Sequence, residues 1–271
     1  MFDKLQPNNV LTKSEFEEIE LSLRWALLEA QFDLARLDYP VIINIGGLEG
    51  AGKGSMVHRL NEWMDSRGME TEPFWEHSDE EESRPHYWRY WRRLPPSGEI
   101  GVFIGSWYNE PGYAAIEEKL SREELDERCQ EINHFERMLR VDGALILKIW
   151  LHVGEKYQAM QLAEQAPKKL QNPRAPVRLD HGKVSYKKQL STARKILEYT
   201  NTGECPWYVV DAEDHNYRDV TVGQLILREM RNRAAEAHAP VTETSFFHPG
   251  HSHLPPVQNE LQLDTLDLSL A

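Results

Sequence analysis

Cysteine is nearly absent from the 271 residues: Cys129 and Cys205 are the whole complement. Two thiols with no secretory leader exclude a disulfide framework and place the chain in a reducing, cytoplasmic compartment. No apolar run approaches the length of about 20 residues that a bilayer span requires, which excludes a transmembrane helix. Positive charge is also scarce. Against 44 Asp and Glu stand 31 Lys and Arg, a formal net charge of −13 that disfavours general affinity for nucleic acid or an anionic membrane. Any polyanion must therefore be held by a local cluster of cations working against the field of the whole chain. The 40% hydrophobic and 28% charged residues suit a soluble globular protein, long enough to bury one substantial α/β core with a short appendage.

What is present is organised around Val41 to Met56, VIINIGGLEGAGKGSM. A β-branched run feeds into closely spaced glycines and a lysine, the sequence form of a buried strand turning into a helix. Gly47, Gly50, Gly52 and Gly54 let successive backbone N–H groups face one concavity, and the N-terminus of the following helix adds partial positive charge. Lys53 supplies an ammonium for terminal phosphates. Gly47-x-x-x-x-Gly52-Lys53 matches the P-loop spacing, except that Gly54 stands where Ser or Thr usually ligates magnesium, with Ser55 one place later.

In chain order, residues 1–11 read as a loose arm, and Thr12 with Glu15 forms a capping box. The helix it opens carries Phe16, Ile19, Leu23, Ala26, Leu27, Ala30 and Leu34 on one face. A helix is expected from Lys53 to Arg67, stopping at Gly68, and a short strand over Thr71 to Trp75. The acidic Ser78 to Ser83 run reads as a solvated loop. It leads into Arg84 to Arg93, where Arg84, Arg89, Arg92 and Arg93 interleave with aromatics before Pro95 and Pro96. Ile100 to Ile104 is a third buried strand, followed by Gly105-Ser106-Trp107-Tyr108-Asn109 at the strand end where open α/β sheets bind ligands. Ser121 with Glu124 caps a helix running to Val141, and Ala144 to Leu151 is a central strand. A helical stretch to Gln165 precedes an irregular segment, Pro167 to Lys188, with Lys168, Lys169, Arg174, Arg178, Lys183, Lys187 and Lys188 against the single acid Asp180. That segment is either an ordinary solvated loop or a lid that folds over phosphates. Ser185 to Tyr199 is a helix, Trp207 to Val210 a strand and Tyr217 to Ala235 a helix. Residues 1–236 then form one P-loop domain with the lid over 155–188, and 237–271 a tail or linker. His248, His251 and His253 lie in that tail without a carboxylate framework, and are not a metal site. The closing leucines suggest either a cut at a domain boundary or a docking tail.

The βαβα order with the loop after the first strand predicts an α/β, P-loop kinase-like fold with about five parallel strands and helices on both faces. From Leu27 to Arg233 the chain resembles the polyphosphate kinase type 2 family, in particular the first half of its tandem-domain members. The resemblance rests on GGLEGAGKGS, YWRYWRRLPPSGEIGVF, SWYNEPG, FERMLRVDGALILKIWLHV and CPWYVVDAEDHNYR. It implies phosphoryl transfer from inorganic polyphosphate to AMP, giving ADP, with magnesium. It also implies Glu49 and Lys53 as catalytic residues. Phosphates would be held by Gly47, Gly50, Ala51, Gly52, Lys53, Gly54, Ser55, Arg89 and Arg92, and by the lid residues Lys168, Lys169, Arg174, Arg178 and Lys183. The aromatics of the Arg84 to Arg93 stretch suit a structural role, in the core or at an interface, as well as they suit a role in the site.

The chain departs from the family pattern where charge matters. The family's loop aspartate is Glu49 here, leaving Glu49 as a weak metal ligand. The Asp-Arg pair before Ser-Trp-Tyr is Ile104-Gly105, so a second carboxylate and an arginine are missing. Glu110 replaces an arginine and adds repulsion, and Ala114 and Ala115 replace a Glu-Arg pair. These losses predict a catalytically degenerate domain. Two alternatives stay open: a structural or regulatory domain serving an active homologous domain or a homo-oligomeric partner, and an ATP-using small-molecule kinase.

Overall fold

Alternation along the central strand decides the layering: Ile42 faces one helical layer and Ile43 the other, as the two-residue period of a strand requires. The computed structural model describes residues 9–74, 77–170, 184–237 and 261–262. Its strands are β1 (Val41–Gly47), β2 (Met69–Pro73), β3 (Ile100–Ile104), β4 (Leu145–His152), β5 (Trp207–Asp211) and β6 (Leu261–Gln262), in the sheet order β2-β3-β1-β4-β5-β6. The first five are parallel, as expected. β6 comes from the expected linker and adds an antiparallel edge, pairing Leu261 with Val209. The helices are α1 (Lys13–Leu34), α2 (Lys53–Trp63), α3 (Asp79–Glu82), α4 (Trp88–Trp91), α5 (Asn109–Ile116), α6 (Arg122–Val141), α7 (Glu155–Leu170), α8 (Tyr186–Thr200) and α9 (His215–Glu236). One face of the sheet packs on α1, α2 and α9 through Leu23, Leu60 and Leu225; the other packs on α6 and α8 through Phe135 and Ile196. Among the described residues no helix is long and apolar enough to cross a membrane.

Both expected capping boxes form, at Thr12 with Glu15 and at Ser121 with Glu124. Four expectations are corrected. α2 stops at Trp63 because the Gln31 amide binds both backbone groups of Asp65, accepting from its N–H and donating to its C=O at 2.8 Å each. A single 3-10 turn over Ser66–Gly68 follows, and β2 starts at Met69. The acidic run is not all loop: Ser78 and Glu81 form a third capping box on α3, where four acids favour the positive end of a helix. Finally α7 continues through Pro167 to Leu170, which shortens the irregular segment.

The apolar strand β4 carries one cation, Lys148, with no exposed surface. Its ammonium donates to Glu136 Oε2 at 3.0 Å and to the Thr200 carbonyl, while Glu136 Oε1 accepts from the Trp107 indole at 3.1 Å. Burial pushes the Glu136 carboxyl up, and Lys148 and Trp107 oppose this by stabilising the anion. The pair thereby fixes the loop after β3 against β4. Glu136→Leu should lower stability to urea by about 3–5 kcal/mol, since it strands a buried ammonium; adding Lys148→Met should recover most of the loss. Equal stability of single and double variants would show that the pair is not coupled.

Candidate active site at the phosphate loop

β1 delivers the loop to the carboxyl edge of the sheet, and Gly47 marks the exit. Its φ is 145°, and a Cβ there would meet the Leu151 carbonyl oxygen at 2.7 Å, so the loop leaves β1 only because no side chain is present. Gly50 and Gly52 are also left-handed, at 85° and 79°, while Ala51 is fully buried and plugs the loop into the core. Lys53 Nζ curls back to donate to the Gly47 and Leu48 carbonyls, at 2.7 and 2.9 Å. Gln158 on α7 donates to the Glu49 carbonyl at 3.0 Å, tying the loop to the base of the expected lid. Gly54 and Ser55 are exposed in the first turn of α2, and a Cβ at Gly54 would meet nothing within 4 Å.

The loop opens onto a cleft at the carboxyl edge of the sheet. Its loop wall is Gly47, Leu48, Glu49 and Lys53, its floor is aromatic, with Tyr108, Trp150 and Trp207, and Gln189 and Thr192 of α8 supply polar groups. Tyr108 packs on Trp207 with ring centroids 4.7 Å apart, and its hydroxyl is buried with no hydrogen-bond partner among the described residues. Of these cleft residues outside the loop, Trp150, Trp207, Gln189 and Thr192 were not singled out from the sequence, and Tyr108 was. Ser106-Trp107-Tyr108-Asn109 sat in the polar and aromatic stretch expected to face a ligand, which was the available signal.

The remaining expected site residues scatter. Arg89 is 6% exposed, lies 3.3 Å from Glu81 and stacks on Phe74 and Tyr90; Arg92 stacks on Trp88, 4.7 Å away. Neither lines the cleft with Lys53. The backbone of Lys168 and Lys169 ends α7, while Arg174, Arg178 and Lys183, like His248, His251 and His253, lie outside the described residues. Glu110 does not add the expected repulsion at the loop. Its Oε2 lies 3.3 Å from both His77 Nε2 and His86 Nδ1, beside a second cavity that Ala114 and Arg128 also line.

For magnesium the described cleft offers one candidate protein ligand. Glu49 is the single carboxylate lining the cleft, the position expected to hold the second is the apolar Ile104, and no described group of three or more His, Cys, Asp or Glu is placed to hold a metal ion. Gly105 is not a simple deletion of an arginine. Its φ is 69° and a Cβ would meet the Phe74 carbonyl oxygen at 2.5 Å, so the backbone itself excludes a side chain. Burial pushes the Cys129 and Cys205 thiols up to about 12, which excludes a thiolate nucleophile at neutral pH.

The family model for polyphosphate kinase 2 matches residues 10–238. The chain belongs to the polyphosphate kinase 2 family. A relative from Pseudomonas aeruginosa named polyphosphate:AMP phosphotransferase is 40% identical over 237 residues, covering 85% of this chain and 47% of its own length. Another of that name, from Pseudomonas syringae pv. tomato, is 36% identical, covering 100% of this chain and 54% of its own. A crystal structure described as a polyphosphate kinase 2 from Pseudomonas aeruginosa PA01 superposes with a TM-score of 0.77 at 40% identity, over 87% of this chain and 48% of that one. The chain thus spans about half the length of these polyphosphate kinase 2 relatives.

The glycines of the loop separate into required and dispensable. Gly54→Ala should raise stability by about 0.5–1 kcal/mol, because the site is helical and open. Gly47→Ala should be strongly destabilising through its contact with Leu151. Thermal melting of the two variants checks the contrast, and similar shifts of the same sign would contradict it.

Proposed function

We propose that this chain is a polyphosphate- and nucleotide-binding domain of a polyphosphate:AMP phosphotransferase, with its own phosphoryl transfer strongly weakened. A second homologous domain, or a partner copy, would supply the full catalytic set. The carrying observation is that the Lys53 loop opens directly onto a cleft with an aromatic floor. In this reading the loop amides and Lys53 hold phosphates, the lid lysines and arginines cover the chain, and Tyr108 with Trp207 packs the base. The Tyr108 hydroxyl and Gln189 orient it through its polar edge. Transfer breaks the bond from the terminal phosphorus to its bridging oxygen and forms one to an oxygen of the AMP phosphate, shortening polyphosphate by one unit. Positioning and charge neutralisation are what such a reaction asks of a protein. In this reading Lys53 contributes both, and Glu49 acts as a metal ligand or general base. The weakening is supported by Ile104, an apolar side chain where the family has a carboxylate, and by the backbone of Gly105.

The regulatory alternative, in which the domain binds the same ligands without turnover, draws on the same two positions. A single experiment separates the readings. The 271-residue chain is titrated with tripolyphosphate and with AMP by calorimetry, and its ADP formation is compared with that of the longer gene product. Binding of both ligands is expected, with Lys53→Ala weakening tripolyphosphate about tenfold or more. Turnover should be about a hundredfold or more below that of the longer protein. Turnover matching the longer protein would overturn the weakening, and no binding of either ligand would overturn the reading altogether.

A further inference from the structure

Gly52, immediately before Lys53, abuts a cation from the far end of the chain. A Cβ at Gly52 would fall 2.1 Å from Nη1 of Arg218, in the first turns of α9. The guanidinium therefore occupies the space that any side chain at position 52 would fill, which is a second reason, besides a φ of 79°, for glycine there. Arg218 is 5% exposed, and its other two nitrogens are committed: Nε and Nη2 donate to Oδ1 of Asp219, at 2.8 and 2.7 Å. Neighbouring side chains on a helix do not ordinarily face each other. Here the arginine folds back along its own helix, which fixes the fork and presents Nη1 to the loop.

The anchor is itself anchored. Asp219 is 2% exposed, and its Oδ2 accepts from Arg59 Nε of α2 at 3.1 Å. Arg59 Nη1 in turn donates to Glu62 at 2.9 Å and to Glu20 of α1 at 3.4 Å, and Glu20 also accepts from the Trp63 indole. Three helices thus converge to hold one nitrogen beside a phosphate loop.

We propose that Arg218 is a phosphate-binding residue, whose Nη1 donates to a non-bridging oxygen of an inorganic polyphosphate seated on the loop, with Asp219 and Arg59 as positioning residues. The assignment rests on the reading that the loop binds polyphosphate. It would also supply, from α9, an arginine in place of the one excluded at Gly105.

The test is calorimetric titration of the 271-residue chain with tripolyphosphate over a range of KCl concentrations. Arg218→Gln should weaken binding about tenfold or more and flatten the salt dependence, whereas Arg67→Gln, an exposed arginine paired with Asp65, should leave both unchanged. Arg218→Lys, which keeps the charge but loses the fork, should retain the salt dependence with intermediate affinity. A purely structural role predicts a lower melting temperature with unchanged affinity. Wild-type affinity in Arg218→Gln, alongside loss in Lys53→Ala, overturns the assignment and leaves the loop reading intact; no binding by the wild type overturns both. Should Arg218→Gln fail to fold, the wild type decides: the Arg218 Nε–H resonance shifts on addition of tripolyphosphate, and an unmoved resonance overturns the proposal.

Discussion

The approach of Gly47 to the Leu151 carbonyl is the constraint on which the site depends. β1 lies between β3 and β4 in parallel register, and its last pairing sets Gly47 against Leu151. At that point the chain must leave the sheet with no room for a Cβ, so it turns into a loop at the carboxyl edge, where open α/β sheets place their ligands. Ala51 then locks the loop into the core, and α2 starts at Lys53 beside it. The cleft follows from the same geometry, because its floor is Trp150 of β4 and Trp207 of β5, adjacent strands on the same side of β1.

An acidic chain that handles a polyanion has to keep most of its cations occupied elsewhere and a few directed at one point. Arg89 pairs with Glu81, Arg93 with Glu72 and Lys188 with Glu118. Glu110 is drawn toward two histidines, which removes its charge from the loop. Lys53 and Arg218 differ in being aimed at the loop itself, one through its carbonyls and the other through the space at Gly52. Two centred cations count for more than a larger number spread over a screened surface.

Much of this was legible in the sequence, and what was not has a common physical cause. β1, its loop and the capping boxes at Thr12 and Ser121 are local: the strand period, the glycine spacing and the Ser/Thr-x-x-Glu pattern each act within a few residues. The features missed depend on partners distant in sequence. Gln31 ends α2 from 34 residues away, Lys148 sits in the most apolar strand because Glu136 and Thr200 meet it there, and Arg218 reaches Gly52 from α9. Arg218 lay within a block that matched the family, yet nothing local distinguished it from a surface arginine on a helix.

The end of β3 shows why absent side chains are not always the informative change. Judged from the sequence, Ile104-Gly105 is the loss of a carboxylate and an arginine, and the natural remedy would be to put both back. In the structure the Phe74 amide donates to the Ile104 carbonyl at 2.8 Å, which draws β2 alongside the strand end and brings the Phe74 carbonyl to within 2.5 Å of where a Gly105 Cβ would stand. With φ at 69°, the residue occupies backbone space that an L side chain rarely enters. An arginine there would have to move backbone on both strands, not merely find a rotamer. A carboxylate at 104 faces no such barrier but would stand among the apolar neighbours that Ile104 packs against, where desolvation opposes its charge. The backbone at this strand end thus excludes an arginine at position 105, and under the proposed assignment the arginine that meets phosphate comes from another element, Arg218 of α9.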